Sequence, residues 1–151
     1  MPTNFDEQEV ARLRGALARI SRSIDRQVPR EGLTPSQVWV LGTIARKGPI
    51  GMGELAEIEG VNPTMLSRMI GKMTAAGLVA RVSDARDARA VLVQVTGDGA
   101  ALQDRLRAER SRLFAERLAE LPEEFATPLR GALPALEALT ELMRPASRMG
   151  V

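Results

Sequence analysis

Apolar residues recur at helical spacing at both ends of the chain. Near the N-terminus the intervals between them are three and four residues, which is the pattern of a helix that packs lengthwise against another. The residues concerned are Val10, Leu13, Leu17, Ile20 and Ile24. The pattern predicts a first helix over about residues 6–28. Toward the C-terminus, Thr96 is placed to cap a long helix over about residues 97–121, and a leucine-rich stretch follows in which Pro128 and Pro134 predict a break or kink.

The second predicted helix begins with a capping box. Thr34 is the cap, Pro35 takes the first helical position, and Gln37 stands three residues after the cap. The helix is expected to end at the Lys-Gly-Pro sequence of residues 47–49. Its inward face is expected to consist of Val38, Leu41, Ile44 and Ala45.

The next stretch has the order of a helix-turn-helix. A short helix over about residues 52–58 is followed by a turn at Gly60, and Asn62 and Pro63 take the cap and the first position of a further helix. Glycine supplies the backbone freedom that the turn needs, and the small Ala56 lets the two helices approach each other. Several size requirements of this geometry are therefore met together.

The helix that begins at Pro63 is predicted to have two dissimilar faces. At about 100° per residue, one arc is apolar throughout and is expected to be buried. It consists of Met65, Leu66, Met69, Ile70, Met73 and Ala76. The opposite arc has small hydroxyl side chains, a glycine and two cations, and it lacks carboxylates. Because a face without acids suits a polyanion, this outer face is the predicted binding surface.

The N-terminal end of this helix supplies candidates for contact with bases in the major groove, where arginine pairs with guanine and asparagine with adenine. These candidates are Asn62, Pro63, Thr64, Ser67 and Arg68. Lys72, a turn further on, is better placed for a phosphate. Glycine at position 71 lowers helix stability by about 1 kcal/mol relative to alanine. Either DNA backbone comes close to Gly71, or the glycine relieves crowding inside the protein.

Beyond the helix-turn-helix the helical period gives way to a predicted β-hairpin. Two runs rich in β-branched residues, 78–82 and 91–95, flank the polar loop 83–89. The loop is either a nucleic-acid contact or a solvated charged turn.

Composition and charge narrow the possible chemistry. The chain has 151 residues, of which 44% are hydrophobic and only 3% aromatic, so a mostly α fold packed through aliphatic side chains is expected. It has no cysteine and no histidine, which excludes disulfides, thiolate zinc sites, thiol redox switches and imidazole catalysis. No nucleophilic side chain is paired with a plausible general base, so an enzyme is not expected. No metal or cofactor site is expected either.

The distribution of charge is more informative than its sum. The formal net charge is +2, but residues 61–95 alone contain five basic and two acidic side chains, a local balance of +3. The chain contains no run of 18 apolar residues, and the N-terminus has acidic residues where a signal peptide has basic ones. A soluble, cytoplasmic protein without a membrane partner is therefore expected.

Together these features resemble the multiple antibiotic resistance regulator (MarR) family of winged helix-turn-helix transcription factors, over nearly the whole chain. The sharpest element is DARDARAVLV at residues 84–93, which is similar to the family's wing signature. The resemblance implies one domain, residues 1–151, with a winged helix-turn-helix at about 34–96. Helices at about 6–28 and 97–143 would form the dimerisation region.

In the family, an arginine at the wing tip enters the minor groove, and an aspartate two residues earlier holds it in place. The matching pair here is Asp87 and Arg89, with Arg86 as second choice. Physical chemistry supports this assignment, because a narrow minor groove concentrates negative potential and an arginine on a rigid hairpin meets it at little ordering cost.

The resemblance also implies a homodimer that binds a pseudo-palindromic operator in double-stranded DNA, and a repressor that a small, often aromatic, ligand releases. Trp39, the only tryptophan, is a candidate for the ligand pocket, with simple packing as the alternative. Without cysteine or histidine, peroxide sensing by a thiol is excluded and zinc sensing is disfavoured. The competing hypothesis is a winged-helix module that binds proteins or ligands but has lost DNA recognition, which the modest net charge and low lysine content favour.

Overall fold

The computed structural model describes residues 5–144 of the chain, and it is mostly helical with a small antiparallel sheet. Residues 1–4 and 145–151, the ends of the predicted domain, lie outside the described residues. In chain order the elements are α1 (Glu7–Gln27), α2 (Pro35–Lys47), β1 (Ile50–Gly51), α3 (Met52–Glu59), α4 (Pro63–Ala75), β2 (Val79–Ser83), β3 (Val91–Val95), α5 (Gly97–Ala119), α6 (Glu123–Gly131) and α7 (Leu133–Leu142). The predicted fold class is confirmed. In the span from residue 5 to residue 144, no helix has the length and apolarity needed to cross a bilayer.

Helix ends follow the local signals in the sequence. Thr34 and Gln37 form a reciprocal capping box, in which each side chain accepts a hydrogen bond from the other residue's backbone N–H. The Asn62 side chain caps α4, and the Thr96 side chain caps α5 by accepting from the backbone N–H of Gly99. Gly60 ends α3 in the left-handed conformation, which glycine adopts without steric penalty. These turns therefore fix where α3 and α4 meet.

The sheet has three strands in the order β1-β3-β2, so the hairpin is extended by a strand that the sequence did not predict. Val79 pairs with Val95 and Ser83 with Val91, as expected for a hairpin, while Ile50 of β1 pairs with Val93 on the other side of β3. Through its pairing with β3, strand β1 connects the start of the helix-turn-helix to the hairpin.

The core lies where the helix-turn-helix, the sheet and α2 meet. Leu66 and Ile70 of α4 are fully buried, as are Leu55 of α3, Leu41 of α2 and Val93 of β3. Leu102 and Leu106 of α5 join the same cluster. The apolar side of α4 therefore packs into a cluster to which α2, α3, α5 and the sheet contribute.

Three residues assigned to the interior by their helical spacing are exposed. Ala45 lies in the last turn of α2, where the helix emerges from the core. On α4 the buried residues span an arc of only about 100°, and Met65 and Ala76 lie outside it. Met65, 55% exposed, lies just beyond the edge of that arc, and Ala76 caps the helix after its last turn.

The predicted break in the C-terminal helix is confirmed at Ala132, between α6 and α7. Pro128 is accommodated within α6, whereas Pro134 stands in the first turn of α7. Since proline has no N–H to donate to the preceding turn, Pro134 suits a helix start and disfavours continuation from α6.

The winged region joins α5 through a close backbone contact. The Thr96 hydroxyl donates to the Gly77 carbonyl at 2.5 Å, and the Thr96 N–H donates to the Leu78 carbonyl at 3.0 Å. At Gly99 an added Cβ would lie 1.9 Å from the Leu78 carbonyl oxygen, so only glycine fits there. This set of contacts, among residues 77–78 and 96–99, is referred to below as the wing–α5 junction.

Gly99→Ala is expected to lower the free energy of unfolding by about 1–3 kcal/mol, the usual effect of overpacking, because the backbone at Leu78 must move. Gly97→Ala is the matched control, since its Cβ would meet nothing within 4 Å in the same helical turn. Thermal unfolding of the two variants at one fixed protein concentration measures the difference in their stability. Equal midpoints for the two variants would contradict the tight contact.

Candidate nucleic-acid interface

The exposed side of α4 collects the side chains proposed to contact DNA. Thr64, Ser67, Arg68 and Lys72 are all exposed, as are Asn62 and Pro63 at the start of the helix. The opposite side, formed by Leu66, Met69, Ile70 and Met73, is buried. The packing of the apolar side therefore leaves the hydroxyl and cationic side chains directed at solvent.

Asn62 already has a structural task. Its Oδ1 accepts a hydrogen bond from the backbone N–H of Thr64 at 2.7 Å, which caps α4. Contact of the whole amide with adenine uses both the oxygen and the nitrogen. Because an amide oxygen can accept two hydrogen bonds, the capping Oδ1 keeps one acceptor position, and the side-chain nitrogen remains available as a donor.

The cations of α4 and the wing are not neutralised within residues 5–144. The ion pairs there involve other segments, such as Arg105 with Glu31 and Arg112 with Glu109. Glu59, the acidic residue at the end of α3, accepts a hydrogen bond from the Thr43 hydroxyl of α2. Arg68 and Lys72 therefore keep their full positive field for an external anion.

Gly71 lies at the centre of the exposed side of α4. A Cβ added there would meet no heavy atom within 4 Å. Crowding inside the described protein therefore does not account for the glycine. The close approach of an external molecule is the remaining interpretation of this glycine.

The wing loop is held by two successive aspartate turns. Asp84 Oδ1 accepts from the backbone N–H of Arg86 at 2.9 Å, and Asp87 Oδ1 accepts from the backbone N–H of Arg89 at 3.0 Å. Both arginines are exposed. Asp87 thus acts on the backbone at Arg89, which fixes where the arginine side chain starts.

Trp39 lines a cavity of about 200 Å³ between α1, α2 and α5. The guanidinium carbon of Arg110 lies 5.8 Å from the centre of the Trp39 ring, and Arg110 Nε lies 3.7 Å from Asp25 Oδ1. That separation is too long for a hydrogen bond, and this buried Nε has no other partner in the described part of the chain. Sequence reasoning missed Asp25, Arg110 and Phe114, because three helices far apart in sequence bring them together.

Comparison with known proteins places the chain in a family. Residues 31–90 match the model of the MarR family. The chain is 35% identical over 126 residues to an uncharacterized helix-turn-helix-type transcriptional regulator of Mycobacterium bovis, covering 83% of this chain and 88% of that protein. It is 26% identical over 112 residues to the transcriptional repressor MdtR of Bacillus subtilis, covering 74% and 72% respectively.

A solved structure agrees in fold. A MarR family protein from Bacillus stearothermophilus has a TM-score of 0.74 to this structure at 23% identity, covering 91% of this chain and 99% of that one. Regulators of this family bind DNA, form dimers and are not enzymes. The match to the family model and the 35% identity to a regulator of nearly the same extent show that this chain belongs to the MarR family of DNA-binding transcriptional regulators.

Proposed function

We propose that this regulator is a homodimeric, sequence-specific repressor that binds a pseudo-palindromic operator and is released by a small aromatic ligand. The observation that carries the proposal is the exposed side of α4, where two cations that form no ion pair within residues 5–144 lie among hydroxyl side chains. This helix contains no carboxylate. The division into a winged region at about 34–96 and dimerisation helices at about 6–28 and 97–143 is part of the same proposal.

The side chains of α4 would divide between bases and phosphates. Thr64, Ser67 and Arg68 stand in the first two turns, the part of a recognition helix that reaches base edges in the major groove. Lys72 stands a turn further on and suits a phosphate. Phosphate contacts position the protein, while base contacts select the sequence.

The wing would add a contact in the neighbouring minor groove. Arg89 is the proposed contact and Arg86 the second choice, with Asp87 holding the loop backbone. An arginine on a preorganised loop loses little conformational freedom on binding, and a narrow minor groove concentrates negative potential.

The dimer would bury apolar surface that one chain leaves exposed. Large apolar side chains are exposed on α1, α5, α6 and α7, and a monomeric soluble protein rarely presents so many together. They are Val10, Leu13, Leu17, Ile20, Phe114, Leu118, Phe125, Leu129, Leu133, Leu139 and Leu142. A two-fold dimer presents two copies of α4 to successive major grooves about 34–36 Å apart, which gives the operator its symmetry.

The Trp39 cavity would hold the effector. The rings of Trp39 and Phe114 suit a single aromatic ring, and an acidic group on that ring would share the Arg110 guanidinium with the Asp25 carboxylate. Trp39 belongs to α2, an element of the winged region that contributes seven buried residues to the protein, so a ligand in the cavity would contact the winged region directly. Repression itself is supported by the similarity to MdtR, a named repressor.

The DNA-binding proposal is tested on sequences selected from a genomic pool. Raising salt from 50 to 200 mM is expected to weaken operator binding by a factor on the order of a thousand or more, if six or more phosphates are contacted. Arg89→Ala is expected to weaken binding about tenfold or more per dimer. Arg30→Ala, between α1 and α2, removes the same charge outside both the winged region and the dimerisation helices and leaves affinity nearly unchanged. Fluorescence anisotropy of labelled operator DNA measures the salt dependence and the affinities of the two variants.

Salt-independent binding, or no selected sequence at all, would contradict the proposal. Capture of a partner protein without retention of DNA would instead favour a protein-interaction module.

Gly71→Ala is expected to have opposite effects on folding and on binding. Because its Cβ meets open space, alanine should raise the free energy of unfolding by about 0.5–1 kcal/mol. The same methyl group should weaken operator affinity on the order of tenfold, if DNA backbone comes close to position 71. Gly97→Ala at the start of α5, also facing open space, is the control that should leave DNA affinity unchanged. A stabilised Gly71→Ala protein with unaltered affinity would disprove the close approach.

Effector binding is followed through Trp39, since the chain has no other tryptophan and no tyrosine. Benzoate, a single-ring aromatic acid, is expected to quench Trp39 fluorescence and to weaken operator binding by about 5–150-fold, the usual range of coupling between two sites. Arg110→Ala should remove both responses, and Arg107→Ala, on the same helix but outside the cavity lining, should keep them. Fluorescence that stays constant across a series of single-ring acids would reject the cavity as the effector site.

A further inference from the structure

Met65 is a large exposed apolar side chain on the side of α4 whose other exposed residues are polar or small. Every residue of α4 is described, and Met65 is its only large apolar side chain among the exposed ones. Helical spacing assigned Met65 to the core, yet 55% of its surface is accessible. The fold therefore does not use most of its apolar surface, and a partner outside the chain would be needed to bury it.

The position of Met65 is that of a base-contacting residue. It is the third residue of α4, one turn before Arg68 and two turns before Lys72. Side chains on a helix tilt toward its N-terminus, so Met65 extends toward the end of α4 that enters a groove first. Its nearest exposed neighbours on the helix surface are Arg68, three residues later, and Asn62, three residues earlier.

The dimerisation surface is a poor alternative partner. The large apolar side chains proposed for that surface lie on α1, α5, α6 and α7. Met65 instead shares its face with Arg68 and Lys72, whose charge is matched by DNA and not by a second copy of the same positive face. Charge complementarity therefore favours a duplex as the molecule that covers Met65.

In the major groove, thymine presents an apolar group at the base edge, its C5-methyl, and apolar side chains discriminate thymine by contacting it. A thioether side chain with three rotatable bonds adapts well to such a group. We infer that Met65 contacts the C5-methyl of one thymine in each operator half-site and contributes sequence specificity there. The inference rests on the proposed binding of α4 in the major groove, and it adds one base preference to that proposal.

The test replaces each thymine of the selected operator in turn by deoxyuridine, which lacks only the C5-methyl. At one symmetry-related pair of positions, wild-type affinity is expected to fall about fourfold for one half-site and about fifteenfold for both, from the burial of one methyl group at each. Met65→Ala should bind the thymine and deoxyuridine duplexes equally at that pair, while Met65→Leu should keep the preference. Thermal unfolding checks that both variants remain folded, which is expected because position 65 is exposed.

The outcomes separate this inference from the proposed function. If wild-type protein binds the operator but no deoxyuridine substitution has a Met65-dependent effect, Met65 does not read thymine, although the DNA-binding proposal stands. If wild-type protein retains no duplex from the pool, both fail together. Loss of the thymine preference in Met65→Ala and its retention in Met65→Leu would support the inference.

Discussion

The structure depends above all on the burial of one side of α4. Leu66, Met69, Ile70 and Met73 enter the core, where α2, α3 and the sheet seal them. Burial of a full aliphatic or thioether side chain stabilises a protein by about 1.5–3 kcal/mol, so rotation of α4 about its axis would forfeit several such contributions. This constraint fixes which side chains face outward. The exposed surface of α4 then includes the hydroxyl side chains, the glycine and the two cations. No interaction other than burial of the apolar side is needed to place them there.

The same packing connects α4, the helix proposed to face DNA, to the rest of the molecule. At the wing–α5 junction, Thr96 bonds to the carbonyls of Gly77 and Leu78, just after α4 ends, while it caps the helix that leads to the C-terminal segment. The Trp39 cavity includes Arg110, which lies further along α5. A shift of α5 would therefore act both on the cavity and on the end of α4, which is a physical route for the proposed release by a ligand.

Sequence signals that act within a few residues were sufficient for most of the fold. The caps at Thr34, Asn62 and Thr96 depend on side chains hydrogen-bonding to backbone two or three residues away, so the sequence alone predicted them. The two-residue strand β1 was missed because its pairing with β3 is a contact between distant segments. Met65 was misassigned because a periodic pattern gives the direction of the buried arc but not its width, which the neighbouring elements set. The residues around Trp39 were missed for the same reason, since no local pattern brings α1 and α5 together.

The central claim is that the outer side of α4 lies against the duplex. The chain has no cysteine, so single thiols can be placed at will. Ser67→Cys puts one on the outer side of α4, and Ser36→Cys puts another at the exposed start of α2. The rate of alkylation by iodoacetamide, with and without saturating operator, measures contact directly. The account predicts that DNA slows alkylation at position 67 on the order of tenfold or more, as expected for a thiol accessible only when the complex dissociates, and leaves position 36 within about twofold. Equal rates at position 67 in the presence and absence of bound operator would contradict it.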